Sequence, residues 1–240
     1  MGTNSLLWIG IGYLLGSIPF GLLLTRAVGI NIREVGSGNI GTTNVLRTGN
    51  KGLAAATLLL DGGKGAAAVL LGQHFGGVEA GMLAGVAAFL GHCFPVWLKF
   101  NGGKGVATLL GVALAAVPLA GVIALLAWVA GAAATRFSSV GGLASAVAAP
   151  VAAYALGAPH SAIALAVMAA ILFWKHRDNI ARLRAGITGI ITVKRKGRRL
   201  TRFCRFRRYV RDARLEWYNQ ARDDGVQDEQ NGEVFPPHII

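Results

Sequence analysis

"SLLWIGIGYLLGSIPFGLLL", Ser5 to Leu24, is twenty residues long and carries no charge. Such a run, wound as a helix, matches the ~30 Å hydrocarbon core of a bilayer, and further apolar stretches follow. Helices are predicted over about residues 4–28, 52–72, 78–95, 106–117, 119–135, 140–156 and 160–174. Charged residues are 15% of the chain, against roughly 25% in a soluble domain, so there is too little polar surface to face water. The 34 glycines also suit helices packed in lipid. The expected fold is an all-α integral membrane protein with about seven transmembrane helices. The first run has no basic n-region and no A-x-A site, so it is expected to stay as a span.

Charge placement sets an expected topology. Polar segments follow the first, third, fifth and seventh helices and hold Arg26, Arg33, Arg47, Lys51, Lys99, Lys104, Arg136, Lys175 and Arg177. The opposite turns, near Gln73–Glu79, Pro118 and Gly157–His160, contain no Lys or Arg. The positive-inside rule then puts the basic face and the C-terminus in the cytoplasm and the N-terminus outside. The fourth helix is too short to cross unaided and must tilt, thin the bilayer or lie buried among neighbours.

The tetrapeptide GGKG occurs twice, in "DGGKGAAAV" from Asp61 and in "NGGKGVATL" from Asn101. Neither copy is a nucleotide-binding P-loop, because glycine rather than Ser or Thr follows the lysine and no hydroxyl is available for Mg²⁺. The second copy lies at a cytoplasmic boundary directly before a helix, where backbone N–H groups and the positive helix end can hold an anion. The first lies within a helix. There Asp61 and Lys64, three residues apart, share a face and can neutralise each other, and a structural ion pair is expected, with a substrate-facing role as the alternative.

Three other polar segments share the cytoplasmic face. "VGSGNIGTTNVLRTGNKG", Val35 to Gly52, offers Ser37, Asn39, Asn44 and Arg47 with no carboxylate, a set of donors suited to a dense anion. "TRFSS" adds Arg136 and Ser139, and "WKHRDNIARLRAG" adds His176, Asn179 and Arg182. Many anion donors, few bases and no nucleotide motif point to a phosphate-bearing substrate met at the membrane surface.

Taken together, these segments resemble the bacterial acyl-phosphate-dependent glycerol-3-phosphate acyltransferases, the PlsY family. "GSGNIGTTNVLR", "GHCFPVWLKFNGGKGVAT" and "KHRDNIARLRAG" are similar to that family's three motifs, over about residues 5–186. The resemblance implies transfer of a fatty acyl group from acyl phosphate to the 1-hydroxyl of glycerol 3-phosphate, giving lysophosphatidic acid and inorganic phosphate. It implies no cofactor and no protein general base, the substrate's own phosphate taking the hydroxyl proton. The implied catalytic set is Ser37, Arg47, Lys104, His176 and Asn179. Substrate phosphate would also meet Asn39, Asn44, Ser139 and the N–H groups of Gly102 and Gly103. One departure stands out: Thr188 occupies the place where the third motif has Glu.

Other chemistries fit less well. His74 and Glu79 approximate the His-x-x-x-x-Asp of coenzyme A-dependent acyltransferases, but with the wrong acid and on the other face. His92 and Cys93 are adjacent, hence about 100° apart on a helix, which is poor geometry for a base and its nucleophile. Cys93 and Cys204 form no disulfide framework, and neither has a zinc-site partner. A transporter of a phosphorylated small molecule would need broken helices in paired halves, and only "DGGKG" points that way. The expected partners are the two substrates and membrane lipids, not nucleic acid. Residues 1–191 read as the membrane domain. Residues 192–220 read as a basic amphipathic segment on the membrane surface, and 221–240 as an acidic, disordered tail.

Overall fold

The computed structural model describes residues 3–184; the expectations for residues 192–220 and 221–240, and the departure at Thr188, lie outside them. Among the described residues the chain is helical and has no strand. The helices are α1 (Thr3–Gly16), α2 (Phe20–Ala27), α3 (Thr42–Leu46), α4 (Lys51–Gly76), α5 (Val78–Cys93), α6 (Val106–Ala116), α7 (Pro118–Thr135), α8 (Ser138–Ala155), α9 (Pro159–Lys175) and α10 (Arg177–Arg184). Short 3₁₀ turns at Ile32–Glu34 and Val96–Leu98 precede the two polar loops.

Local chemistry sets several of these bounds. The Asn50 side chain caps α4 by accepting from the Leu53 N–H at 3.0 Å, the usual work of an N-cap asparagine. Pro118 and Pro159 open α7 and α9, where a missing N–H costs nothing. Five segments are long and apolar enough to cross a membrane: Ser5–Ala27, Lys51–Gly76, Val78–Leu98, Pro118–Thr135 and Ser138–Ala155. The apolar helices Val106–Ala116 and Pro159–Lys175 are shorter. Leu59, Leu126, Val151, Tyr154 and Ile163 stay exposed on the outside of the bundle, as a lipid-facing surface requires.

The short α6 lies within the bundle. At 1.5 Å per residue its 11 residues reach only about 17 Å, and Leu109, Val112 and Ala113 are fully buried. Glycine makes that burial possible. A Cβ on Gly111 would strike the backbone of Gly62, and one on Gly65 would lie 2.7 Å from the Thr108 carbonyl oxygen. Small residues of this kind let helices approach in lipid. The first GGKG is therefore a packing surface for the helix that follows the second.

One sequence expectation needs correction. The first apolar run is not one helix: α1 stops at Gly16 and α2 starts at Phe20. Pro19 has no N–H to donate and pushes Ile18 out of the helical region. Two carbonyls are freed within the apolar run, and other segments occupy them. Trp97 Nε1 donates to Ser17 O at 2.8 Å, and Lys64 Nζ donates to Ile18 O at 2.7 Å. Non-helical backbone at membrane depth is tolerated only when the protein satisfies it in this way. A transporter's broken helix would leave such groups for its cargo; here they are taken.

Candidate functional site

The loop before α3 is folded around one side chain. Asn44 is buried, 2% exposed, and its Nδ2 donates to the carbonyls of Val35 and Asn39, both at 2.8 Å, and of Ile32 at 3.2 Å. Its Oδ1 accepts from the Ser37 N–H at 3.1 Å, from Ser37 Oγ at 3.3 Å and from Arg47 Nη1 at 3.3 Å. Asn44, expected to donate to a phosphate, here gives its N–H groups to backbone carbonyls and holds Ser37 and Arg47. The Asn39 Oδ1 accepts from the Gly41 N–H at 3.0 Å, which turns the chain into α3. Ser37 itself is exposed.

The second GGKG is bonded to the end of α5. Helix α5 stops at Cys93, two residues before Pro95, leaving its last carbonyls without helical partners. The Gly103 N–H donates to His92 O at 2.9 Å and the Gly102 N–H to Cys93 O at 3.2 Å. Lys175 Nζ reaches Cys93 O at 3.0 Å, and the Tyr13 hydroxyl donates to Phe94 O at 2.8 Å. The N–H groups of Gly102 and Gly103, expected to meet a phosphate, are bonded to the end of α5 in this structure. The amides of Lys104 and Gly105, next in line and opening α6, have no partner among the described residues.

Lys104 brings the third polar segment to this loop: its Nζ donates to Asn179 Oδ1. Arg47 and Arg182 add their charges, and with burial as the larger cause they press the Lys104 ammonium down to about 8. Arg47 is itself lowered, by burial and then by Arg182. The three cations thus raise one another's potential, a field an anion would relieve. Asp178, whose charge acts on Lys104 in the opposite sense, is exposed and lies 3.8 Å from Arg177 Nε. His176 is 3% exposed, and its Nδ1 donates to Leu172 O at 2.8 Å, so Nε2 is the open nitrogen. Burial pushes His176 down to about 4, leaving a neutral imidazole at pH 7. Nε2 faces Gly142, where an added Cβ would lie 3.6 Å away. Ser139, one turn earlier on α8, lies on the same helix face.

Sequence reasoning missed two linking residues. Arg33 donates to Asn101 O at 2.5 Å and to Gly38 O at 3.3 Å, joining the two polar loops. His92 lies directly beneath Gly103. The signal for His92 was present in His92-Cys93-Phe94-Pro95, a helix end whose carbonyls need outside donors. The first-copy pair matches its expectation: Lys64 Nζ stands 2.8 Å from Asp61 Oδ1, both side chains 3% exposed.

Basic side chains tied to Ser37 and Asn179 on the polar segments of an apolar helical bundle are the marks of an integral membrane protein that handles phosphorylated compounds. The chain belongs to the glycerol-3-phosphate acyltransferase family, whose model matches residues 6–186. It is 62% identical over 182 residues to the glycerol-3-phosphate acyltransferase of Ruegeria sp. (strain TM1040), covering 75% of this chain and 90% of that one. It is 57% identical over 195 residues to that of Mesorhizobium japonicum, covering 81% of this chain and 100% of that one. The fold is similar to the crystal structure of PlsY (YgiH), an integral membrane glycerol 3-phosphate acyltransferase, in its glycerol 3-phosphate form. There the TM-score is 0.74 and the identity 34%, over 78% of this chain and 94% of that one. The lysophosphatidic acid form gives 0.73 and 32%, over 79% and 96%.

Proposed function

We propose that this chain transfers an acyl group from acyl phosphate to the 1-hydroxyl of glycerol 3-phosphate. The hydroxyl oxygen attacks the acyl carbon and an ester C–O bond forms. The acyl–phosphate C–O bond breaks, and inorganic phosphate leaves with that bond's electron pair. Arg47, Lys104, Ser37 and Ser139 hold the phosphate of glycerol 3-phosphate, with Asn179 orienting Lys104. His176 Nε2 accepts from a substrate hydroxyl and fixes its direction.

The observation that carries this reading is the tethering of Arg47 beside Ser37 through Asn44 and of Lys104 to Asn179, three residues from a buried His176 whose Nδ1 is already bonded. An imidazole lowered to about 4 is too weak a base to hold the hydroxyl proton at neutral pH. A phosphate monoester, whose second pKa is about 6, is a better acceptor. The substrate's own phosphate therefore takes the proton, and the protein supplies position and charge.

The same reading places seven crossings in the bacterial inner membrane, N-terminus outside and active site facing the cytoplasm. It assigns residues 1–191 to the chemistry, 192–220 to contact with anionic lipid, and 221–240 to a solvated tail. The test supplies purified protein with acyl phosphate and glycerol 3-phosphate, then repeats the reaction with acyl-coenzyme A. Lysophosphatidic acid and phosphate should form in the first case only. No product, or equal turnover with both donors, overturns it.

A further inference from the structure

The Asp61–Lys64 pair does not stand alone. His92 Nδ1 lies 3.6 Å from Asp61 Oδ1, and its ring lies where a Cβ on Gly103 would go. On the other side Lys64 Nζ donates to Ile18 O at 2.7 Å. Thr108, in the first turn of α6, donates through Oγ1 to Asp61 O at 3.0 Å. A continuous polar chain therefore runs from the break between α1 and α2, through Lys64, Asp61 and His92, to the backbone of the second GGKG. All three side chains are buried, 3–4% exposed.

Packing alone asks for none of these charges. A buried ion pair is often matched or bettered in stability by apolar residues of similar volume. The chain also fits imperfectly. The Lys64–Asp61 approach is close enough for ion pairing, but its angle is not that of a hydrogen bond, and His92 Nδ1 has no hydrogen-bond partner. Such a device contributes little to stability. Its place, against Gly103 and so one residue from Lys104, suits setting a position.

We propose that Lys64, Asp61 and His92 are positioning residues that seat the Gly102–Gly105 backbone and so fix where Lys104 meets the substrate phosphate. The proposal rests on the reading that Lys104 holds glycerol 3-phosphate. Displacing one group by about 1 Å can cost on the order of a hundredfold, so a small slip of the loop registers in binding.

The full-length protein is tested as two variants. His92→Asn shortens the side chain beneath Gly103, and Asp61→Asn with Lys64→Met removes both charges together, leaving neither unpaired. The expected result in each is a KM for glycerol 3-phosphate raised at least about tenfold, with kcat within about threefold of wild type. Lys104, followed by mass spectrometry, should react faster with an amine-modifying reagent, while melting of His92→Asn stays near that of wild type and that of the paired variant falls, since Ile18 O also loses its Lys64 donor. If the paired variant fails to fold, His92→Asn/Gly103→Ala decides. Gly103→Ala alone should raise KM, but add nothing further in the His92→Asn background. Unchanged KM and unchanged Lys104 labelling in His92→Asn, or a full additive effect in the double variant, would overturn the proposal. If wild type makes no lysophosphatidic acid, the functional reading fails, and Lys104 labelling still tests the positioning.

Discussion

A hydrogen at Gly103, where any other residue has a side chain, leaves room for the His92 ring. Gly103→Ala would bring a methyl against that ring, and overpacking of this kind costs about 1–3 kcal/mol. Melting temperature and glycerol 3-phosphate affinity should therefore fall together. Were the glycine needed only for phosphate approach, affinity alone would change. Lys104 gives a second expectation. Its ordinary value of 10.5 is lowered to about 8, so the ammonium is present below that pH and lost as pH rises through it. The KM for glycerol 3-phosphate should climb between about pH 7 and about pH 9.5. Lys104→Arg, which stays charged, should be less active and lack this alkaline rise. A wild-type KM flat across that range counts against an ammonium–phosphate contact. Cys93→Ala should keep activity within about threefold in a turnover assay, because the thiol is buried and only its carbonyl serves the loop.

The segment from Ile32 to Leu46 shows what a single buried amide can organise. Asn44 bonds three carbonyls with its Nδ2 and three donors with its Oδ1. Asn44→Ala strands several of these inside the fold and should cost about 2–4 kcal/mol, read as a lowered melting temperature in detergent. An unchanged melt would show that the loop is held elsewhere. This element also marks how far the sequence could be read. Ser37, Asn44 and Arg47 were legible as a donor-rich set, because composition and the absence of carboxylates suffice for that. Which of them faces ligand and which faces backbone was not, since a donor's direction depends on carbonyls up to twelve residues away. The same holds for Gly102 and Gly103, whose amides go to the end of α5. By contrast Asp61 and Lys64, paired across one helical turn, were readable from spacing alone.

Across the whole molecule, apolar run length made the spans legible, and the short α6 was anticipated as a helix needing cover. The break at Ser17–Pro19 was misread although Pro19 announces it, because a long apolar run outweighed one residue. The motifs end by about Gly186, so a chain stopped after Ile191 should keep lysophosphatidic acid formation within about threefold. Failure of that truncation in a well-folded preparation would assign residues 192–240 a part in the reaction.

The break between α1 and α2 also bears on how the protein is made. When Ser17 and Ile18 leave the ribosome, the groups that will satisfy their carbonyls have not been synthesised. Lys64 follows Ile18 by 46 residues and Trp97 follows Ser17 by 80. Until they arrive, the Ser17 carbonyl is bare and the Ile18 carbonyl has only the Phe20 N–H, 3.1 Å away, a costly state in hydrocarbon. The first segment's lowest-energy waiting place is a hydrated one, beside the insertion machinery or at the bilayer surface. Final seating is thus deferred until the third apolar segment has emerged, and a nascent chain halted before Trp97 should leave residues 17–19 open to water-borne reagents that the finished protein excludes.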